Sequence, residues 1–154
     1  MKRFMDPRIA VLFPVPNGDG TLESEYLWAQ DLGHDRYRIA NCPFFVDGVS
    51  LHDIVLAPRV RGIPTFERVL SKSGNRTVRI LFNEPVATGN APERVLRRLV
   101  SFGCAYEGAD RTFVAVNIPA RVLLIMVYEY LDEQDVTWEH ADPAFDEVNI
   151  CVPL

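Results

Sequence analysis

The sequence predicts an α+β protein built from two halves, residues 1–75 and residues 76–154. In the first half, short apolar runs alternate with Pro and Gly turns, which is typical of a small β-rich sheet or partial barrel. After Phe82 the pattern changes to strand, helix, strand, strand, helix, strand. That order is the ferredoxin-like βαββαβ arrangement, in which two helices cover one face of an antiparallel sheet. We therefore expect a β-rich subdomain packed on a ferredoxin-like subdomain.

Turn residues divide the first half into short strands. Residues 9–15 form an apolar run that ends in prolines, and residues 17–20, Asn-Gly-Asp-Gly, tolerate the positive φ of a tight turn. Alternation of apolar and polar residues then predicts strands at residues 22–32, at residues 37–40 and around Ile54.

A hairpin is predicted where the two halves meet. The segment 71–75, Ser-Lys-Ser-Gly-Asn, contains the small and polar residues that hairpin loops favour. Apolar runs flank it on both sides. We therefore expect residues 64–70 and 76–82 to be its two strands.

The helix predicted for residues 91–102 has local signals at both ends. Asn90 can cap the first turn, Pro92 lies where a missing N–H does no harm, and Glu93 stands where a capping box places its acid. Gly103 can take the left-handed conformation that ends a helix. The apolar stripe between these ends comprises Val95, Leu96, Leu99 and Val100.

The remaining elements of the second half follow in order. Strands are predicted at residues 104–107 and 112–118, a second helix at 121–132 and a strand at 136–139. The second helix is apolar almost all round, so we expect it to be more deeply buried than the first. A further strand is expected in the tail, at residues 148–152.

The net charge of −5 lies entirely in the second half of the chain. Residues 1–75 hold nine basic and nine acidic residues, whereas residues 76–154 hold seven and twelve. No Lys or Arg follows Arg121. The acidic residues beyond it are Glu129, Asp132, Glu133, Asp135, Glu139, Asp142, Asp146 and Glu147.

Composition also limits location and redox chemistry. The chain has no apolar run of about 18 residues that could span a membrane, and charged and proline residues interrupt any signal-peptide core at its start. We therefore expect a cytoplasmic protein. Cys42, Cys104 and Cys151 are odd in number and widely spaced, which favours buried thiols over disulfides or a metal site.

Several segments resemble a bacterial family of domains of unknown function. The resemblance covers most of residues 10–132 and implies that these pieces belong to one structural unit. The family brings no established chemistry to transfer, and the tail from about Asp135 lies outside the resemblance. The matching segments are Val11-Leu12-Phe13-Pro14-Val15, Glu25-Tyr26-Leu27-Trp28, Tyr37-Arg38-Ile39, Pro43-Phe44-Phe45, Gly48-Val49-Ser50-Leu51, Asp53-Ile54-Val55 and Gly103-Cys104-Ala105-Tyr106-Glu107-Gly108.

Candidate catalytic and metal-binding residues have simpler interpretations. Ser50, His52 and Asp53 suggest a triad, but adjacent residues of a strand point to opposite faces, which favours a turn that Asp53 caps. The three histidines are dispersed, so we predict no metal and no cofactor. Cys104 follows a helix C-terminus, whose dipole disfavours a thiolate.

Nucleic acid is not an expected partner on the evidence of charge. A ferredoxin-like sheet can bind RNA through exposed aromatics, and Tyr106, Phe113 and Trp138 are placed for this. The net charge of the whole chain opposes binding to a polyanion. The arginines of the first helix indicate a solvated face, namely Arg94, Arg97 and Arg98.

The sequence therefore favours a non-enzymatic protein-binding protein, since it contains no nucleophile, base and orienting group at suitable spacing. An acidic surface steers basic partners, and small acidic proteins without catalytic residues serve as immunity proteins or antitoxins against basic nuclease toxins. The alternative is a small enzyme or ligand sensor with a site between the subdomains. The predicted partner-binding residues are Glu129, Asp132, Glu133, Asp135, Trp138, Glu139 and Asp142.

Overall fold

The computed structural model describes residues 8–145 of the chain. The fold is α+β with a predominance of strands, and its sheets do not close. The first half contains β1 Arg8–Pro16, β2 Leu22–Gly33, β3 Arg36–Ile39, β4 Ile54–Leu56, β5 Arg59–Val60, β6 Ile63–Pro64 and β7 Arg68–Ser71. The second contains β8 Arg76–Leu81, α1 Ala91–Phe102, β9 Ala105–Gly108, β10 Phe113–Ile118, α2 Leu124–Glu133 and β11 Thr137–Asp142. The strand predicted at residues 148–152 lies outside the described residues, as does Cys151.

The first sheet has five antiparallel strands in the order β1-β2-β3-β4-β7. Apolar side chains alternate along each strand, so that one face of the sheet is buried. Thr65, which follows the short β5–β6 hairpin, forms an isolated β-bridge with Leu12 of β1. β1 and β7 are the two edges of the sheet, which is therefore open. The buried core of this half comprises Val11, Phe13, Leu27, Ala29, Tyr37, Ile39, Val46, Val49, Val55 and Ala57.

The second sheet has four antiparallel strands in the order β11-β8-β10-β9. Buried residues of both helices join one core with this sheet. The buried members of that core are Val78, Ile80, Phe82, Val95, Leu96, Leu99, Cys104, Val114, Val116, Ile118, Val122, Val127 and Leu131.

The hairpin predicted around residues 71–75 is wrong. β7 pairs with β4 in the first sheet, whereas β8 lies between β10 and β11 in the second. Four consecutive residues of β8, 77–80, are buried, because helices cover one face and the first half covers the other. A strand with neighbours on both edges has no edge left for β7. The segment 72–75 therefore crosses from one sheet to the other.

The first helix has the predicted boundaries. The Asn90 side chain accepts a hydrogen bond from the backbone N–H of Glu93 at 3.1 Å, and Gly103 ends the helix at φ 109°. The Glu93 carboxylate pairs with Arg97, four residues on, at 3.1 Å. The Asn90 cap and the Gly103 stop are thus confirmed, whereas the Asn90 N–H donates to the Ala87 carbonyl at 3.2 Å and not to Glu93, so the capping box is incomplete.

The second helix is shorter and less buried than expected. It begins at Leu124 instead of residue 121, and among its residues only Val127 and Leu131 are buried, against four in α1. These two residues are four apart on one side of the helix. The opposite side leaves Ile125 59% exposed. Within residues 8–145, neither helix has the length and apolar character needed to cross a membrane.

Substitutions on opposite sides of α2 test this orientation. We expect Leu131→Ala to lower the free energy of unfolding by about 2–5 kcal/mol, because Leu131 is fully buried in the core. Ile125→Ala, the matched control on the same helix, should change it by less than about 0.5 kcal/mol. Urea unfolding followed by circular dichroism measures both. Equal costs would contradict the one-sided packing of α2.

Candidate functional site: an acidic and aromatic recess at the junction of the two halves

Residues 42–53, the linking loop, lie between the two sheets. The loop touches every strand of the second sheet. The Cys42 N–H donates to Glu107 Oε2 on β9 at 2.6 Å, and the Gly48 N–H donates to the Ala141 carbonyl on β11 at 2.8 Å. Phe44 and Phe45 pack against Phe113 of β10. Val46 and Asp47 contact Arg79 of β8, and Ser50 contacts Thr77 of the same strand.

Glu25 of β2 anchors the start of this loop from the first sheet. Its carboxylate accepts three backbone N–H groups, from Phe44 at 2.8 Å and from Phe45 and Val46 at 3.1 Å. The Glu25 side chain is buried, so these bonds replace the water it loses. The Glu25 carboxylate therefore provides hydrogen-bond acceptors for loop N–H groups that have no partner in a β-sheet.

Arg79 holds the loop from the second sheet. Only 3% of its side chain is exposed. Its Nη1 donates to the Val46 carbonyl at 2.9 Å, its Nε donates to Glu139 Oε1 at 2.7 Å, and its Nη2 pairs with Asp47. One buried guanidinium thus joins β8, β11 and the loop through its fixed fork of donors.

Lys72 closes the junction at the other end of the loop. Its Nζ donates to Asp53 Oδ2 at 2.5 Å, to Asp142 Oδ2 at 2.6 Å and to the Gly48 carbonyl at 3.0 Å. Burial lowers the pKa of Lys72, but hydrogen bonds to Asp142 and Asp53 outweigh it and raise the pKa overall. The amine therefore stays charged between the two carboxylates.

The turn predicted at Asp53 is confirmed. The Ser50 N–H donates to Asp53 Oδ2 at 2.9 Å. The Ser50 hydroxyl donates to Asp142 Oδ2 at 2.5 Å and lies 2.7 Å from Thr77 Oγ1. His52 is exposed at φ 68°, whereas Ser50 and Asp53 are buried. The hydroxyl is thus a structural hydrogen-bonding group.

A recess of about 520 Å³ opens where the linking loop meets the second sheet. Asp47 comes from the loop, while α2 and β11 supply two more carboxylates, Asp132 and Glu139. The other lining residues are Trp138, His140, Ala144 and Phe145. The recess is thus bounded by acidic and aromatic side chains from both halves.

The aromatic wall of the recess is centred on His140. Its ring lies 4.7 Å from Trp138, 5.7 Å from Phe145 and 4.6 Å from Tyr128, centroid to centroid. Burial lowers the pKa of His140 despite the opposing effect of Asp132. The imidazole is therefore neutral at pH 7, and its buried Nδ1 has no hydrogen-bond partner among residues 8–145.

Within the described residues 8–145, the three carboxylates of the recess have one cation to balance them. Asp47 and Glu139 share the single guanidinium of Arg79, and Asp132 accepts a hydrogen bond from Trp138 Nε1 at 3.1 Å. A net negative charge beside aromatic rings favours a cation, because ring faces and carboxylates both attract positive charge. Chemically, the arrangement can bind a guanidinium or an ammonium group.

The structure gathers part of the predicted partner-binding set. Asp132, Trp138 and Glu139 line the recess. Asp142 does not belong to the acidic surface: its side chain is 8% exposed and is engaged by Lys72, because β11 continues to residue 142 and turns it inward. The flanking acids, defined as Glu129, Glu133 and Asp135, are exposed on α2 and just after it.

Sequence reasoning missed the residues that build the junction. Arg79 alternates with the apolar Val78 and Ile80, so the sequence alone places it on the opposite, solvent-facing side of a strand. Glu25 carried a signal, because it lies two residues before Leu27 and therefore on the same face of β2 as Leu27 and Ala29. Lys72 had no such signal, because it lies in a polar loop segment and its partners are distant in sequence.

Cys42 and Cys104 are buried, as predicted. Burial, with a smaller contribution from Glu107, raises the pKa of Cys42 to about 12, and burial raises the pKa of Cys104 to about 11. Both thiols are protonated at pH 7 and are poor nucleophiles. Residues 8–145 contain no group of three or more His, Cys, Asp or Glu placed to hold a metal ion.

Removal of Lys72 tests the importance of the junction. We expect Lys72→Met to lower the free energy of unfolding by about 2–4 kcal/mol, because Asp53 and Asp142 become buried and uncompensated; the half-exposure of Lys72 reduces the cost. Asp142→Asn in the Lys72→Met background should recover part of this loss. Urea unfolding measures all three proteins.

Arg97→Met is the matched control, because Arg97 forms an exposed ion pair with Glu93. We expect it to cost less than about 0.5 kcal/mol. A cost for Lys72→Met no greater than that of this control would show that the junction ion pairs are dispensable.

Comparisons with known proteins place the chain in a family. Residues 25–141 match the model of a domain of unknown function, DUF4265. The crystal structure of a hypothetical protein from Neisseria gonorrhoeae is similar, with a TM-score of 0.76 and 16% sequence identity, over 90% of this chain and 97% of that chain. At this identity the likeness concerns the fold alone. No curated protein matches the chain.

Proposed function

Because the chain belongs to the DUF4265 family of domains of unknown function, we propose its function from its own surface. The protein is a non-enzymatic binding protein whose acidic and aromatic recess holds a basic protein partner. One observation carries the proposal: three carboxylates and three aromatic rings line one recess, with Arg79 as the balancing cation beside it.

The recess suits an arginine or lysine side chain of the partner. A guanidinium over the Trp138 ring would gain a cation–π interaction, and Asp132 is the carboxylate there that pairs with no cation among the described residues. Charge-assisted contacts of this kind are strongest where water is partly excluded. We therefore assign the recess the role of an anchor point within a larger interface.

The flanking acids supply the long-range part of recognition. Glu129 is three residues before Asp132 on α2 and therefore lies on the same side of the helix. Together with Glu133 and Asp135 it extends negative charge beyond the recess. Such charge raises the association rate with a basic protein and disfavours acidic ones.

The partner class that we propose is a basic toxin domain, such as a nuclease, which the protein neutralises as an immunity protein or antitoxin. Charge and size support this by analogy. A cytoplasmic location is part of this proposal.

We also propose that the second half is a ferredoxin-like subdomain and that the boundary lies near residue 75. The order βαββαβ, the strand order β11-β8-β10-β9 and helices on one face all support this assignment. The chain crosses from one sheet to the other between β7 and β8.

A second candidate function uses the same recess for a small cationic ligand, in a sensor or a small enzyme. The observation in its favour is the position of the recess at the junction of the halves, together with its volume of about 520 Å³, which is within the range of small-molecule sites. The two candidates differ in what occupies the recess and in whether the flanking acids matter.

Co-purification from the native cell, followed by kinetics at low and high salt, tests the proposal. We expect a basic protein whose association rate falls about tenfold or more at low salt when Glu129, Glu133 and Asp135 are replaced by Lys. At high salt the difference should shrink, because exposed charges are then screened.

The matched control reverses three exposed acids of the first half, namely Glu23, Asp35 and Glu67. It should leave the association rate within about twofold of wild type. Recovery of no basic partner, or equal rates for the two triple variants, would contradict the proposal. A rise in melting temperature with arginine or choline that Asp132→Asn abolishes, without any protein partner, would support the ligand-binding alternative.

A further inference from the structure

The outer face of the first sheet carries exposed aromatic rings. Buried residues of β2 such as Leu27 and Ala29 point inward, so Tyr26 and Trp28 point outward. Tyr26 is 56% exposed and Trp28 is 52% exposed. The two residues are two apart on one strand, so their Cα atoms lie roughly 7 Å from each other and both side chains point to the same face. Large aromatic side chains left open to solvent in a pair indicate a binding surface.

Arginines border these rings on the same face. The sheet register places Arg8 of β1 and Arg38 of β3 on either side of Gln30, which is two residues beyond Trp28 on β2. Arg38 Nη1 donates to Gln30 Oε1 at 2.9 Å, which orients the guanidinium along the sheet. Arg36 occupies the next outward position of β3, where its Nε donates to the Gly33 carbonyl and its Nη2 to the Leu32 carbonyl, both at 3.2 Å. Three arginines thus extend the same face of the sheet beyond Trp28.

Carboxylates are absent from the outward positions of these five strands, all of which lie within residues 8–71 of the described chain. Glu67 precedes β7 and pairs with Arg68 at 3.9 Å at the edge of the sheet, so we leave Arg68 out of the set. The outward residues besides the aromatics and arginines include Ala10, Leu12, Pro14, Leu22, Ser24, Gln30, Ile54 and Leu56.

We propose that this face binds single-stranded nucleic acid. Bases stack on Tyr26 and Trp28, because every base has a flat π-face that matches an exposed ring. Phosphates are bound by Arg8, Arg36 and Arg38, which supply positive charge beside the rings. The open sheet admits an extended strand, and the site is separate from the acidic recess.

The net charge of −5 does not argue against this face. The excess of acidic residues lies in the second half of the chain, and exposed charges farther apart than about 8–10 Å are largely screened at physiological salt. The sequence placed Tyr106, Phe113 and Trp138 of the second half for base stacking. Phe113 packs on Phe44 and Phe45 and Trp138 packs on the core, so Tyr106 is the exposed large ring among these three.

A second copy of the chain is the competing occupant, because its acidic surface could meet the arginines. Paired exposed rings without neighbouring carboxylates favour nucleobases, since a carboxylate surface makes no use of stacking. Size-exclusion chromatography with light scattering separates the two occupants. A dimer that Trp28→Ala dissociates would overturn the nucleic-acid proposal.

Tryptophan fluorescence gives a direct test, because the chain has two tryptophans and Trp138→Phe leaves Trp28 alone. We expect twelve-nucleotide oligo(dT) and oligo(U) to quench Trp28 at 50 mM salt. The logarithm of the binding constant should fall against the logarithm of salt concentration with a slope of about −2, from three phosphate contacts at about 0.7 each. Anisotropy of labelled oligonucleotide with the unsubstituted protein provides a second measurement.

Surface variants and their controls complete the test. Trp28→Ala should weaken binding roughly 5- to 150-fold, as expected for one lost stack, and Arg38→Gln should reduce the salt slope by about 0.7. Tyr106→Ala and Arg97→Gln remove an exposed aromatic and an exposed arginine of the second half and should change neither value.

Heparin separates charge from base recognition, since it is a polyanion without bases. If neither oligo(dT) nor oligo(U) binds at 50 mM salt, the proposal is overturned. Heparin binding as tight as that of oligo(U), with Trp28→Ala unchanged toward both, would also overturn it.

Discussion

The structure depends on burial of an irregular loop between two sheets. Residues 42–53 have no strand ladder to satisfy their backbone groups, and each buried group left unpaired would cost about 1–3 kcal/mol. Charged side chains from both sheets and from the crossing segment therefore reach into the loop: Glu25 accepts three N–H groups, and Arg79 and Lys72 donate to carbonyls and carboxylates. These contacts connect the loop to both sheets, between two separate cores.

Local signals in the sequence sufficed for elements whose determinants lie close together. Asn90, Pro92 and Gly103 are all within a few residues of α1, and its boundaries are as predicted. Pairing between segments that are distant in the sequence could not be predicted from local signals. β7 and β8 are adjacent in sequence yet belong to different sheets, and Lys72 finds its carboxylates 19 and 70 residues away. The exposed side of α2 was missed because periodicity alone does not show how much sheet lies beneath a helix.

The residues of the candidate site were likewise only partly predictable from the sequence. The run of acidic residues after Arg121 predicted a partner-binding role for a set that includes Asp132, Trp138 and Glu139, and these three line the recess. The linking loop adds Asp47, and its placement depends on Arg79 behind it. Asp142 appeared to be a surface acid in the sequence, but the junction uses it internally. The recess is therefore a product of the junction, and the arginine-bearing sheet face on the first half is a separate surface of opposite charge.

The most direct test of this account asks whether the two halves unfold together. Trp28 lies in the first sheet and Trp138 in the second, so the variants Trp28→Phe and Trp138→Phe each leave one reporter. Urea unfolding of each variant is followed both by its remaining tryptophan and by far-ultraviolet circular dichroism. A buried, charge-linked junction predicts that the two probes give coincident transitions within each variant. The claim that the linking loop joins both halves into one cooperative unit would be contradicted by separate midpoints for the two probes. In that case the tryptophan fluorescence of one half would change at a lower urea concentration than that of the other half.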